Sequence, residues 1–474
     1  MKRILFFFLL IISILQILVS TVGCANIIPP SGGPRDSLPP VLVSASPKDS
    51  TVNFKGNRIV LNFDEYVDLE DVQNNLLFTP LFETVPQVDV KLKTITVRLR
   101  DTLEKNTTYT FNFGNAIKDI NESNPFRQFT YTFSTGPYLD SLALSGRVIL
   151  AENGKTDSTL TVVLHTDLTD SAVAKQRPRY AAKLDSIGRF AFKNLPPGIF
   201  AIYAIGDAGT LRRYTSPDQL FAFADSAVVS GGNKPVTLYA YREEKEKEKK
   251  SSAIPRPGSG SGPAGRPTPA DKRLRITNNL VSGQQDLQTD LLLTTEKPLR
   301  NFDSSKMKLS TDSSFIPVAA YSIQLDSTGK EIRIKTPWKE GTAYHFVTEK
   351  DFAEDTTGRK LLRNDTLSFA TKKLKDYGRL DIKLRNVDLT KNPVLQFVQS
   401  DKVMFAAPVK SGSYAQALFL PGEYDLRILY DENNNGVWDA GEFFGVKKQP
   451  ELVLPIGRKI TVKPDWENEF DVGL

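Results

Sequence analysis

The run DENNNGVWDAGE at residues 431–442 puts oxygen-bearing side chains at the intervals a hard cation requires. Asp431, Asn433 and Asn435 occupy the first, third and fifth places, and Gly436 takes the sixth, where the chain must turn sharply. The Val437 carbonyl, Asp439 and a twelfth-place Glu442 complete the set. Ca²⁺ takes six to eight oxygens, so the spacing predicts a structural calcium loop of modest affinity, because only three of its side chains are carboxylates. The same Asn and Gly residues would also serve an ion-free hairpin, since tight turns favour them. Tyr430 and Trp438 flank the loop with Phe443 and Phe444. Exposed, Trp438 and Tyr430 would grip a sugar or a protein partner; buried, they would fill the core beneath the loop, which is the reading their strand neighbours favour.

Cys24 is the one cysteine in 474 residues. Lys2 and Arg3 precede an apolar run at residues 4–19, followed by the small-residue stretch 20–24, which is the anatomy of a secretory leader and too short for a comfortable membrane span. The segment Thr21-Val22-Gly23-Cys24 resembles a bacterial lipobox, with Thr21 where Leu is usual. That resemblance implies cleavage after residue 23 and lipid, palmitate included, on Cys24. No cysteine is left for an intramolecular disulfide. An outer-membrane address is expected, with the occupied face left open.

A third signal is Asp followed by Ser or Thr and then a small or aliphatic residue, as at Ser37, Ser50, Ser186, Ser327 and Thr356. It resembles the O-glycosylation acceptor of exported Bacteroidota proteins, and it is also ordinary turn chemistry. His165 and His345, the only histidines, fall in strand-like runs and read as packed or edge residues. There is no Gly-rich phosphate loop after a strand, no Gly-x-Ser-x-Gly elbow and no paired-histidine metal motif. The chain therefore reads as a non-enzyme; a hydrolase working with two carboxylates is the weakest reading. With 61 Lys and Arg against 55 Asp and Glu, the charge is nearly balanced and scattered, which argues against nucleic acid as a partner.

The elements that carry these residues have period two. Ile59, Leu61 and Phe63 alternate with polar or smaller neighbours; so do Ile95, Val97 and Leu99, then Tyr109, Phe111 and Phe113, then Phe129, Tyr131 and Phe133. Short alternating strands between turn residues predict an all-β chain of tandem antiparallel β-sandwiches. Residues 24–40 are Pro- and Gly-rich and read as a tether, and residues 242–272, charge-alternating and then rich in Pro, Gly and Ser, read as a solvated linker. The linker divides the chain into two arms joined by a flexible hinge.

Within the first arm, PPVLVSASPKDSTVNF, RIVLNFDEYVDLED and TYTFNFGNAIKDINESN followed by FTYTFSTG resemble the bacterial Ig-like domain of S-layer and exported proteins, over residues 41–136. Glu65 and Asp68 are an ordinary strand-to-turn passage there. GRFAFKNLPPGIFAIYAIGD resembles a transthyretin-like, or carboxypeptidase-regulatory-like, β-sandwich, over residues 139–241. The second arm repeats the order. A diverged Ig-like domain spans 273–373 and a second transthyretin-like domain spans 376–474, with ALFLPGEYDLRILYDE matching the earlier phrase so that Tyr424 stands opposite Phe200 and Leu426 opposite Ile202. In the first arm Arg212 and Arg213 stand where the calcium loop has oxygens, so no cation is expected there. Tandem sandwiches display surfaces, which makes a structural or protein-interaction lipoprotein the first reading, as an accessory to an outer-membrane barrel; a glycan-binding surface lipoprotein is the alternative.

Overall fold

The computed structural model describes residues 36–206, 212–243, 273–311 and 314–474. The leader, Cys24, most of the tether, the greater part of the linker and Asp207 lie outside the described residues. The chain is nearly all-β, with 48% strand and 4% helix. Among the described residues no helix is long and apolar enough to cross a membrane.

Each sandwich forms because alternate side chains of two sheets meet. In the first, Leu42–Ser46, Arg58–Phe63, Thr94–Arg98 and Gln87–Lys91 form one sheet, and Leu77–Thr79, Thr108–Gly114 and Phe129–Ser134 the other. Ile59, Leu61, Ile95 and Val97 from the first sheet pack on Phe111, Phe113, Tyr131 and Phe133 from the second, all completely buried. The third sandwich is built the same way around Leu291, Leu293, Ile332 and Ile334 on Tyr344, Phe346 and Phe369.

The second sandwich sets Arg189–Leu195, Leu142–Leu150 and Val236–Ala240 against a sheet led by Tyr180–Lys183, Thr161–His165, Ile199–Ile205 and Phe221–Phe223. The fourth sets Ser413–Phe419, Gly378–Arg385 and Glu467–Gly473 against Lys402–Pro408, Pro393–Gln399, Gly422–Tyr430 and Leu452–Val462. The matched residues Phe200 and Ile202, and Tyr424 and Leu426, are buried in the two respective cores. Both sandwiches also share a departure from purely antiparallel order. Leu142–Leu150 runs parallel to Val236–Ala240, and Gly378–Arg385 runs parallel to Glu467–Gly473, so in each case the first and last strands lie side by side. A parallel pair needs a crossover rather than a tight hairpin, and the strands between them supply it.

The two arms are not independent about the linker: the second and fourth sandwiches share a core. Val163, Ala181, Tyr203, Ile205, Phe221, Phe223 and Tyr241 of the second pack with Phe443, Trp438 and Leu452 of the fourth. The Val453 N–H donates to the Ala151 carbonyl at 2.9 Å, and Lys155 pairs with Asp401 at 2.6 Å. Gly154, at φ +71°, lies so close to Pro455 that an added Cβ would stand 2.3 Å from its Cδ. At the outer ends, the Arg179 guanidinium holds Glu104 through two hydrogen bonds of 3.0 and 2.7 Å, tying the first sandwich to the second. The Tyr377 hydroxyl accepts from the Leu287 N–H at 2.8 Å between the third and fourth. Hydrophobic clusters of this kind override a linker that by itself would leave the arms apart.

Candidate functional site

The connection between Gly422–Tyr430 and Leu452–Val462 carries the calcium-type sequence and also builds the joint between arms. Asp431 is 1% exposed, and its two oxygens accept the N–H groups of Asn435 at 3.1 Å and Gly436 at 2.6 Å. The Asn433 side-chain Oδ1 accepts the same Asn435 N–H at 3.0 Å. One Asp439 oxygen collects the side-chain amides of Asn433 and Asn435, and Asn435 in turn accepts the Val437 N–H at 2.7 Å. Asp431, Asn433, Asn435 and Asp439 are therefore gathered as their spacing predicts.

Glu442 is not gathered with them. Its backbone pairs with Lys448 in both directions, at 2.8 and 2.7 Å, and its carboxylate lies over Gly445. Among the described residues no three Asp, Glu, His or Cys side chains cluster closely enough to hold a metal ion. Four of the six expected residues therefore stand together, with the Asn433 and Asn435 amide nitrogens turned to Asp439 and their oxygens on backbone N–H groups.

Glu451 is the participant that spacing did not reveal. It is 2% exposed, and its two oxygens accept the N–H groups of Glu432 at 2.9 Å and Asp439 at 3.0 Å, bracing the loop from its far end. Burial, with Asp431 and Asp439 adding repulsion, pushes its carboxyl above the ordinary glutamate value, against the two N–H groups that favour the anion. The only sequence signal was an acid standing immediately before the apolar run of Leu452–Val462. Beside it, the Trp438 indole N–H donates to the Glu451 carbonyl at 2.7 Å.

The flanking aromatic residues fill interior space. Tyr430 is 9% exposed in the fourth core, and Trp438 is half-buried against clusters from both sandwiches. Neither is the open platform that a glycan or partner contact at these two residues requires. Phe443 is the plug of the joint. Its ring centroid lies 5.6 Å from Tyr203, 5.1 Å from Phe221 and 5.0 Å from Phe223, with its N–H on the Glu243 carboxylate at 3.1 Å. Phe444 stacks on Tyr214 at 5.9 Å but stays 42% exposed. Gly441 is required where it is, because an added Cβ would stand 2.7 Å from both the Tyr241 ring and the Lys448 carbonyl. Gln449 reaches back across the joint to the Phe223 carbonyl and Asp225, and Lys447 pairs with Asp170 at 2.6 Å.

His165 sits in the same neighbourhood, 2% exposed, edge-on to Tyr203 at 5.8 Å, with no partner for Nε2. Burial lowers its pKa from 6.5 to about 4, with Asp167 pulling weakly the other way. A base whose folded pKa lies below its unfolded value adds stability above pH 6.5 and loses it as the pH falls from 6.5 toward 4, because the unfolded chain takes the proton first. The full loss amounts to about 3 kcal/mol. Chemical denaturation of His165→Gln and the unchanged chain is expected to show stability curves that converge as the pH drops through this window; a constant difference from pH 7 to pH 4 would exclude the linkage.

His345 is an edge histidine, its Nδ1 2.9 Å from Ser368 Oγ and its ring against Phe315. Asp68 accepts the Leu69 N–H at 2.8 Å, a turn role, and burial together with the neighbouring charges of Asp119, Asp64, Asp36 and Glu122 raises the Glu65 carboxyl above its ordinary value. The Asp-Ser/Thr positions show turn chemistry too. Asp185, Asp326 and Asp355 spend their oxygens on N–H groups two to five residues onward, while Ser186, Ser327 and Thr356 stay exposed. Arg213 Nε is buried without a partner in the first arm's counterpart of the loop.

Residues 36–135 match the family described as a bacterial Ig-like domain, which identifies the first sandwich and about a fifth of the chain. No curated protein matches the sequence. Among solved structures, the chain is similar to the Bacillus anthracis TIE protein at 10% identity, over 94% of this chain and 75% of that one, with a TM-score of 0.17. It is similar to the N-terminal part of the bacterial S-layer protein SbsC at 20% identity, over 43% and 44%, with a TM-score of 0.16. It is similar to BcpA, the major pilin subunit of Bacillus cereus, at 9% identity, over 70% and 99%, with a TM-score of 0.16. Scores this low describe no shared overall arrangement.

Proposed function

We propose that this chain is a non-catalytic, lipid-anchored outer-membrane lipoprotein that works as a structural and protein-interaction module, as an accessory to an outer-membrane barrel. The observation that supports this reading best is the shared core at Phe443. It turns four small sandwiches into one body in which the two transthyretin-like units lie in the middle and the two Ig-like units at the ends. Such a body presents sheet edges and loops at fixed separations, which is what binding a large partner requires. The carboxylates of Asp431, Asp439 and Glu451 are engaged in bracing a loop. Anchoring would come from lipid on Cys24, and the exposed Ser and Thr hydroxyls of the Asp-Ser/Thr turns are places for O-glycans.

The test is co-purification from membranes in mild detergent. A barrel protein recovered with the chain in fixed ratio supports the reading, and a chain extracted alone would overturn the accessory role.

Calcium fits this scheme as a clamp rather than a reagent. Held by Asp431, Asn433, Asn435 and Asp439, it would neutralise the buried negative charge around Glu451 and stiffen the loop that carries Phe443. At ~1 mM Ca²⁺ the melting temperature is expected to rise by a few degrees, corresponding to ~1–2 kcal/mol of ligand linkage, and to fall back with chelator. Asp431→Asn should abolish the rise. An identical melting curve with and without Ca²⁺ would remove the ion from the account.

A further inference from the structure

A cavity of about 410 Å³ lies at the seam of the first and second sandwiches, with walls from Thr108–Gly114 and Phe129–Ser134 on one side and Tyr180–Lys183 and Arg189–Leu195 on the other. Its back is fixed by the Asn194 side chain, whose amide donates to Thr110 Oγ1 at 3.0 Å across the seam. Five of its lining side chains, Asn115, Gln128, Thr130, Lys183 and Lys193, make no hydrogen bond or ion pair with another described residue. No carboxylate lines it. Among the described residues some lysines do have acids beside them, as Lys155, Lys118 and Lys447 do, whereas no acid lines this wall. Burial and the positive charge of Arg212 hold the Lys183 ammonium below the ordinary lysine value, with Asp71 opposing them, so an added anion would be welcome there.

We infer that this seam binds an acidic saccharide, with the uronate carboxylate on Lys183 and Lys193 and the ring hydroxyls on Asn115, Gln128 and Thr130. The size suits one or two sugar rings. Amides and hydroxyls that can both donate and accept match sugar hydroxyls, which do the same. Lysine is a point charge on a flexible stem and meets a carboxylate without demanding a fixed angle. A peptide would need deep apolar pockets for its side chains, and the only wholly apolar side chains in this wall are Leu77, Ala181 and Ala182, too small and too few to form them. The site is independent of Trp438 and Tyr430 and of the membrane-accessory reading.

The experiment is titration calorimetry on the full chain in detergent with digalacturonic acid, beside a neutral disaccharide and sodium acetate. Saturable one-to-one binding near ~1 mM is expected, with the neutral sugar and acetate each at least about tenfold weaker. Lys183→Gln with Lys193→Gln should weaken digalacturonate about tenfold or more at unchanged melting temperature, and Asn115→Ala with Gln128→Ala should weaken it while leaving both charges in place. No saturable heat up to ~10 mM would overturn the proposal. So would equal binding of acetate or the neutral sugar, or variants that bind as the unchanged chain does.

Discussion

Replacing Phe443 with Ala is expected to separate the two arms. The ring is 2% exposed and touches Tyr203, Phe221 and Phe223 at once, so truncation leaves an aromatic-lined hole between two domains, not within one. Phe-to-Ala changes in cores cost ~3–5 kcal/mol, and here nearly all of that falls on the docking of the second sandwich on the fourth. Each keeps a core of its own, around Val148, Val162 and Leu238 in one and Leu395, Phe397 and Ile428 in the other. Calorimetry should therefore resolve two melting transitions where the unchanged chain gives one, and X-ray scattering should show a larger radius of gyration. Phe444→Ala, at a residue 42% exposed, should shift stability by less than ~1 kcal/mol. A Phe443→Ala chain that melts once, at the original temperature and with the original dimensions, would show that the joint rests on its polar contacts.

The second large effect is expected at Cys24. Changing it to Ser should leave all four sandwiches folded, because the buried clusters of the described residues are built from residue 42 onward, and should move the chain from the membrane to the soluble fraction. Each buried CH₂ of a lipid chain contributes about 0.8 kcal/mol of membrane affinity, so on the proposed anchoring by lipid at Cys24 the substitution amounts in effect to complete release. The readout is membrane fractionation with a melting curve on the released protein. Undiminished attachment would assign the hold to the apolar run at residues 4–19 or to a protein partner.

The strands were readable because a two-residue period maps directly onto the two faces of a sheet: Ile59, Leu61, Phe111, Phe113, Tyr131 and Phe133 are completely buried as the alternation requires. The repeat was readable because equivalent core positions, such as Phe200 and Tyr424, keep the same rhythm in both arms. At the loop, spacing placed Asp431, Asn433, Asn435 and Asp439 together because a tight Asn/Gly turn brings alternate side chains to one side. It misplaced Glu442, which a local bridge to Lys448 carries off, and it gave no notice of Glu451, whose role depends on the return strand. The two readings of Trp438 and Tyr430, partner contact or core filling, were indistinguishable in sequence for a related reason: aromatic rings beside a loop look the same whether they meet water or a neighbouring domain, and here both pack against the buried clusters.

By itself, then, the sequence determined the all-β class, the bacterial Ig-like character of the first domain and the gathering of four oxygen-bearing side chains in the loop. All of these rest on residues a few positions apart, where backbone geometry alone sets who faces whom. Only the tertiary structure decided that the arms meet, that Phe443 is the plug, that Glu451 braces the loop and that a cavity opens between the first two sandwiches. Each of these joins residues far apart in the chain, such as Phe443 with Phe221 and Asn194 with Thr110, and is selected by burial and shape across surfaces that no local periodicity encodes.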